Sequence, residues 1–210
     1  MQNLKIFYED NHILVVQKPN NIPSQADKTG DEDMLTILKS YLKEKYNKPG
    51  EAYLGLVHRL DRPTGGIMVF ARTSKAASRL SEQIRTKQIQ KKYLATCNGK
   101  LEKEKDTWCD FLLKTEKNNT SKVVPEGTKN SKEAILDYEV VQYNEKTDLS
   151  IVKVNLHTGR HHQIRVQFAS RGHGLYGDQK YGTRGKRKTI KTLGLLFKLY
   201  SSSHKTKNGI

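Results

Sequence analysis

The feature that most constrains the fold is a pair of alternating segments in the second half of the chain. AILDYEVVQY and LSIVKVNLH each alternate apolar and polar residues, and the polar residues 145–148, EKTD, separate them. A period of two places alternate side chains on the same face of a strand, so the pair predicts an antiparallel hairpin. The apolar face of that hairpin must be buried against further strands or helices.

Other segments supply both kinds of partner. KIFYEDNHILVVQKP predicts two short strands, and LGLVH, IMVFAR, KKYLATCNG and TWCDFLL predict four more. Apolar residues recur at helical spacing in MLTILKSYLKEKY, where Asp33 is the expected N-cap. SKAASRLSEQIRTKQ predicts a second helix capped by Ser74, and RHHQIRVQFASRG predicts a third, beginning near Arg160 and ending at Gly172.

The predicted elements define the fold class. The polar, lysine-rich stretch from Lys114 to Lys132 predicts a mobile loop, and no internal repeat or long linker interrupts the chain. The sequence therefore predicts an α/β domain of the α+β type, with a mixed, largely antiparallel sheet flanked by helices and loops. A length of 210 residues fits a single domain spanning 1–210.

The charge of the chain points to a polyanionic partner. Its 38 lysines and arginines exceed its 22 acidic residues, which gives a net charge of +16. Such a field attracts nucleic acid, although a solvated basic surface is the alternative. From Gln179 onward there are nine basic residues and no Asp or Glu, so residues 183–210 form a basic end. We expect that end to contact phosphate or to be partly disordered.

Several classes of protein are disfavoured. No apolar run is long enough to cross a bilayer, and the first residues, MQNLKIFYEDNHILVV, lack the features of a signal peptide. Cys97 and Cys109 have neither metal-ligand nor redox spacing, which predicts reduced thiols. We therefore expect a cytoplasmic protein with no membrane partner. The sequence leaves the oligomeric state open, and a monomer is the default expectation.

The stretch VHRLDRPTGGI carries the first candidate site. His58, Arg59, Asp61 and Arg62 stand just before an aliphatic strand, and Leu60 among them should point inward. The flanking arginines favour the ionised form of the Asp61 carboxylate, which could then act as a nucleophile or a base. The alternative is a structural aspartate that caps the turn.

The histidine-rich stretch LHTGRHHQIRVQFASRGHGLYGDQKYG carries the second candidate site. A metal site is disfavoured because His161 and His162 should point to different faces of a helix, with no acidic residue at ligand spacing. If Arg165 is buried it needs an acidic partner, and Asp61 is a candidate. A third candidate, Tyr93 in KKYLATC, is on its own most simply a core or edge tyrosine.

These stretches together resemble a known family. HRLDRPTGG, KKYLATCNG and HTGRHHQIRVQFASRGHGLYGDQKYG, in this order, resemble the motifs of the RluA-like family of RNA pseudouridine synthases. YEDNHILVVQKPNNIPS is similar to the family's first strands, so the resemblance runs from about Tyr8 to Gly182. It implies the pseudouridine synthase catalytic fold, with a central active-site cleft and no cofactor or metal.

The resemblance also implies a reaction and its residues. The family converts uridine to pseudouridine in RNA, either ribosomal or transfer RNA, after flipping the target base out of its stack. Asp61 matches the catalytic aspartate, Tyr93 the tyrosine that stacks on the base and acts in proton transfer, and Arg165 the arginine that pairs with the aspartate. Arg59 matches an arginine that fills the gap left by the flipped nucleotide. We expect RNA contacts from this residue and five neighbours: His58, Arg62, Lys92, Arg160 and His162.

The chain departs from the family at three places. Gly65 and Gly174 stand where the family usually has Ser and Pro, and the end, TLGLLFKLYSSSHKTKNGI, lacks the usual histidine motifs. The divergent end motivates an alternative, a catalytically impaired RNA-binding protein of the same fold. A metal-dependent nuclease using the histidine-rich stretch is a second alternative.

Overall fold

The computed structural model describes residues 4–47, 49–115 and 119–182, and the backbone of 195–201. The basic end at 183–210 therefore lies outside the described residues, apart from one strand. The helices are α1 (Met34–Lys45), α2 (Ser74–Arg85) and α3 (Gln163–Ser170). The strands are β1 (Ile6–Glu9), β2 (Ile13–Lys18), β3 (Gly55–Leu56), β4 (Gly65–Ala71), β5 (Ile89–Asn98), β6 (Lys105–Thr115), β7 (Thr120–Val124), β8 (Lys132–Asn144), β9 (Leu149–Leu156) and β10 (Leu195–Ser201).

These helices and strands confirm the predicted α+β class. Backbone contacts divide the chain into two compact units, the first built mainly from Met1–Arg62 and Gly66–Lys91 and the second from Lys92–Phe197. The prediction of a single domain spanning 1–210 stays a prediction. Within the described ranges, no helix is long and apolar enough to cross a membrane.

The first unit is a small antiparallel sheet with two helices. Strand β2 pairs with β1 on one side and β4 on the other, and β3 also pairs with β4. Alternation along β2 and β4 buries one face completely, and α1 contributes buried residues at helical spacing. The large apolar side chains that are fully or almost fully buried include Leu14, Val16, Met34, Leu38, Leu42, Met68 and Phe70.

The caps of α1 and α2 test two predictions. Asp33 caps α1 as predicted, since its carboxylate accepts from the backbone N–H groups of Leu35 and Thr36. The prediction of Ser74 as the cap of α2 is wrong. Thr73 has the extended backbone of an N-cap, and its hydroxyl accepts from Ala76 N at 3.1 Å, so Ser74 is the first helical residue.

The second unit is a longer antiparallel sheet with α3. Its strands follow the order β5-β9-β8-β6-β7, and the predicted hairpin of β8 and β9 is confirmed, with a register shift between Val140 and Gln142. Trp108 packs against Tyr138 and Phe168, with ring centroids 4.6 and 4.7 Å apart. Phe168 lies on α3, so these rings attach the helix to the sheet.

Three predictions about segment boundaries are corrected. The loop predicted from Lys114 to Lys132 contains β7, because Thr120–Val124, with three β-branched residues among its five, pairs with the end of β6. LGLVH forms only the two-residue β3. Helix α3 begins at Gln163 rather than near Arg160, because His162 has a left-handed backbone with φ of 54° that cannot continue a helix.

Candidate active site

The loop that carries Asp61 is tethered at three of its residues, all within the first unit. Leu60 is buried as predicted, and its N–H and C=O both bond the hydroxyl of Ser24, at 3.1 and 2.8 Å. His58 Nε2 accepts from Val69 N of β4 at 3.0 Å. The third tether is the side chain of Lys18, whose ammonium group donates to the carbonyl of Arg62. Asp61, half-buried, is therefore flanked by backbone whose position is fixed on both sides.

The third tether is Lys18, the last residue of β2. Its side chain is fully buried, and its Nζ donates to the carbonyls of Pro19 at 2.9 Å, Ile22 at 2.6 Å and Arg62 at 3.0 Å. Three acceptors satisfy all the donors of an ammonium group. Burial lowers the pKa of Lys18 to about 8, against the attraction of Asp61, so the ammonium is still charged at neutral pH. The Asp61 carboxylate therefore lies in the electrostatic field of a fixed buried cation.

His58 is held as a neutral ring. Burial, reinforced by the charge of Lys91, lowers its pKa to about 4. The hydrogen bond from Val69 N agrees, because a nitrogen that accepts a hydrogen bond carries no proton. Any RNA contact of His58 would therefore be a neutral hydrogen bond rather than a charge contact.

The two arginines of the loop differ in surroundings. Arg59 is exposed. Arg62 instead bonds the preceding polar loop, donating to the Thr29 hydroxyl at 2.9 Å and forming ion pairs with Asp27 and Asp31. The predicted RNA contacts of both residues stay predictions, and Arg59 has the more accessible side chain.

Arg165, in the second unit, forms a buried ion pair. Its Nε and Nη2 donate to the two carboxylate oxygens of Asp178, both at 2.7 Å, and the side chains are 7% and 0% exposed. The predicted need for an acidic partner is confirmed, and Asp178 is a partner that the sequence analysis missed. The pairing of Arg165 with Asp61 stays a prediction.

An aromatic and polar cluster surrounds Arg165. The guanidinium carbon lies 5.1 Å from the ring centroid of Tyr181, whose hydroxyl bonds His162 Nδ1 at 2.8 Å and accepts from Ser121 N at 2.7 Å. His161 and His162 stack with centroids 3.7 Å apart, so the prediction that they point to different faces of a helix is wrong. The reason is that both precede α3, where the left-handed backbone of His162 turns its ring toward its neighbour.

Three further predicted site residues, Tyr93, Lys92 and Arg160, also lie in the second unit. Tyr93 is half-buried on β5 and packs against the core that also contains Ile164 of α3. Lys92 beside it is exposed. Arg160 is exposed too, and its Nε donates to the carbonyl of Glu133 at 2.7 Å. Tyr93 and α3 are thus anchored on one core, while the juxtaposition of both with Asp61 stays a prediction.

Metal ligation has no candidate group in the described part of the chain. No three of its His, Cys, Asp and Glu residues lie together in a way that could hold an ion. Cys97 is buried, which raises the pKa of its thiol to about 12, and Cys109 is exposed.

Comparison with known proteins identifies the family. The family model described as RNA pseudouridylate synthase matches residues 12–170, a span that contains Asp61, Tyr93 and Arg165. An uncharacterised RNA pseudouridine synthase from Bacillus subtilis (strain 168) is 36% identical over 184 residues, covering 87% of this chain and 59% of that protein. A ribosomal large subunit pseudouridine synthase C from Buchnera aphidicola subsp. Schizaphis graminum is 35% identical over 180 residues, covering 85% and 54%.

Solved structures share the fold. Human RNA Pseudouridylate Synthase Domain Containing 4 superposes with a TM-score of 0.75 at 23% identity, covering 91% of this chain and 81% of that one. Human RNA Pseudouridylate Synthase Domain Containing 1 gives the same TM-score at 24% identity, covering 97% and 80%. This chain belongs to the RNA pseudouridylate synthase family. It spans 59% and 54% of the length of the two bacterial relatives named above.

Proposed function

We propose that this protein isomerises uridine to pseudouridine in structured RNA, with Asp61 as the catalytic carboxylate. The observation that carries the proposal is the tethered loop within a matching family segment. Backbone on both sides of Asp61 is fixed by Ser24 and Lys18, and the buried ammonium of Lys18 interacts electrostatically with the Asp61 carboxylate. An ionised, oriented carboxylate is what the reaction requires.

The isomerisation balances without a cofactor. The bond from nitrogen 1 of uracil to the sugar breaks, a bond from carbon 5 to the same sugar carbon forms, carbon 5 loses a proton and nitrogen 1 gains one. Three roles for Asp61 are consistent with this balance: attack on the sugar, attack on the uracil ring, or abstraction of a sugar proton. All three roles use the ionised carboxylate. Each therefore predicts that Asp61→Asn and Asp61→Ala abolish the reaction.

The remaining predicted residues are proposed to serve the same reaction. Tyr93 would receive the flipped base on its ring and take part in proton transfer, and Arg165 would pair with Asp61. Flipping costs a few kcal/mol, which contacts to the RNA backbone must offset. A net charge of +16 and the exposed side chains of Arg59, Lys92 and Arg160 fit that requirement.

Ribosomal RNA is the first substrate to test. Several relatives are named ribosomal large subunit pseudouridine synthases, among them C from Buchnera aphidicola and D from Nitrosomonas europaea. Large-subunit ribosomal RNA and transfer RNA, both transcribed in vitro and so free of modification, would be incubated separately with the protein. The RNA would then be digested to nucleosides and pseudouridine quantified by chromatography.

The wild type should form pseudouridine in at least one RNA, and Asp61→Ala should form none while binding RNA with unchanged affinity. Pseudouridine formation by Asp61→Ala at the wild-type rate would contradict the role of Asp61. RNA binding without pseudouridine in either RNA would favour the alternative, a catalytically impaired RNA-binding protein of the same fold.

A further inference from the structure

We propose that Asp178 is a positioning residue for Arg165: it fixes the plane of the guanidinium and the edge that Arg165 presents to the reaction. The inference rests on the proposed function, because it concerns how Arg165 serves that reaction. It also makes a statement about the free protein that is testable without any turnover.

The geometry of the pair sets the orientation of Arg165. A guanidinium is planar, with N–H donors along two edges that can each receive a carboxylate. Asp178 takes the edge formed by Nε and Nη2, with two bonds of 2.7 Å. A second carboxylate, such as the one that the proposed reaction needs, must therefore approach on the Nη1 side. Asp178 thus determines which donors of Arg165 take part.

Asp178 is itself held rigidly. Its Oδ1 also accepts from the backbone N–H groups of Lys180 at 3.0 Å and Tyr181 at 3.3 Å, and its carbonyl accepts from Gly182 N at 2.9 Å. A Cβ at Gly182 would lie 2.2 Å from that carbonyl oxygen, so only glycine allows this turn to close. Burial alone would raise the pKa of Asp178, but the hydrogen bonds and charge of Arg165 lower it, so the carboxylate stays ionised.

Tyr181 lies over one face of the guanidinium. Its ring lies 5.1 Å from the guanidinium carbon of Arg165, and its hydroxyl is fixed by Ser121 of β7 and by His162. The guanidinium is thus held by a carboxylate in its plane and a ring over its face. The same turn, Asp178–Gly182, provides both groups.

The first test compares Asp178→Asn with the wild type in single-turnover reactions on large-subunit ribosomal RNA labelled with tritium at carbon 5 of uracil. Because displacing a reacting group by about 1 Å can cost about 100-fold in rate, we expect the rate constant to fall by about 10- to 100-fold. The protein concentration that gives half the maximal rate should change by less than about twofold, since Asp178 is too buried to bind RNA directly.

A double-mutant cycle separates positioning from general damage. Arg165→Lys removes the planar fork, so adding Asp178→Asn to that variant should cost less than about threefold. Asp110→Asn is the matched control, because Asp110 forms a similar two-bond pair with Arg171, the residue after α3. It should leave the rate constant within about twofold of the wild type. Full additivity in the cycle, or an equal loss in the control, would overturn the proposal.

The second test is proton exchange at Arg165 Nε, followed by NMR in the free protein. This proton should exchange with water at least about tenfold more slowly than that of the exposed Arg59, and Asp178→Asn should abolish the difference. Asp178→Glu keeps the charge that a buried arginine needs, so it should fold and retain part of the protection even if Asp178→Asn does not fold. Unprotected Nε in the wild type would overturn the proposal. Protection without tritium release would instead refute the proposed function on this RNA, and leave the pair supported.

Discussion

Lys18 is fully buried. It bonds backbone carbonyls close to it in the chain and also the carbonyl of Arg62, 44 residues further on. The sequence shows it only as a lysine before a proline at the end of a β-branched run, and the same pattern is common at the surface. Its burial, like that of Asp178, follows from long-range packing and could not be predicted from neighbouring residues. The inward position of Leu60 could be predicted, because it is an apolar residue among charged ones.

Removing the charge of Lys18 should destabilise the protein. Lys18→Met keeps much of the side-chain volume but leaves three part-buried carbonyls without their donor, so the free energy of unfolding should fall by about 2–4 kcal/mol. Urea unfolding would measure the change. Lys43→Met, at an exposed position of α1, is the control and should change the free energy of unfolding by less than about 0.5 kcal/mol. Equal stability of the two variants would contradict the tether.

His58 should remain neutral well below pH 6. Its pKa is lowered to about 4 in the folded protein from an ordinary value of 6.5, so the unfolded chain binds the proton first. Stability should therefore fall as the pH falls from 6.5 to 4, as far as this group is concerned. Nitrogen-15 NMR of the ring should show a proton on Nδ1 and none on Nε2 at pH 5.5. A charged ring at that pH would contradict the bond from Val69 N.

At the scale of elements, helix α1 is attached to β1 through one carboxylate. Glu9 accepts from the hydroxyls of Tyr41 at 2.8 Å and Tyr46 at 2.7 Å, and it forms ion pairs with Lys45 and Arg72. Burial would raise the pKa of Glu9, but the hydrogen bonds from Lys45 and the two tyrosines lower it to about 2. The four partners connect β1, α1 and the end of β4.

The stability contributed by Glu9 should depend on pH. Because its folded pKa of about 2 lies below its ordinary 4.5, the contribution is fully present above pH 4.5 and is lost as the pH falls toward 2. Glu9→Gln should reduce the free energy of unfolding by about 1–3 kcal/mol at pH 7 and by much less near pH 2. Glu82→Gln, which affects only an exposed pair with Arg85, should show a far smaller loss. A pH-independent difference would contradict this account.

The elements themselves were largely predictable from periodicity. The hairpin of β8 and β9 alternates clearly, and α1 combines a helical period with a strong cap, so local signals and tertiary packing agree. Strand β7 was missed because five residues, TSKVV, follow a polar stretch and gain their strand structure by pairing with β6. The cap of α2 was misplaced by one residue because Thr73 and Ser74 are both good caps, and only the backbone angles distinguish them.

At the scale of the whole molecule, charge and family carry the functional account. The net charge of +16 predicted a polyanionic partner, and the three motifs in order predicted the family to which the chain belongs. Neither predicts which uridine is modified, because that choice depends on the shape of loops around the site. The contribution of single charged residues to RNA binding can nevertheless be tested by substituting them one at a time.

Arg59→Ala should weaken RNA binding and its salt dependence together. Each phosphate contact contributes about 0.7 to the slope of log affinity against log salt for single strands, so losing one contact should reduce the slope by about that amount. Filter binding of large-subunit ribosomal RNA between 50 and 300 mM KCl would measure the slope. Arg85→Ala, whose guanidinium pairs with Glu82, is the control and should leave the slope unchanged.

The central claim is that Asp61 drives isomerisation of uridine, and the most direct measurement is tritium release from RNA labelled at carbon 5 of uracil. We predict that the wild type releases one tritium per pseudouridine formed, and that Asp61→Asn releases none while still binding the RNA. Asp106→Asn, at a half-buried aspartate paired with Lys103, should release tritium at the wild-type rate. Release by Asp61→Asn at the wild-type rate would contradict the account.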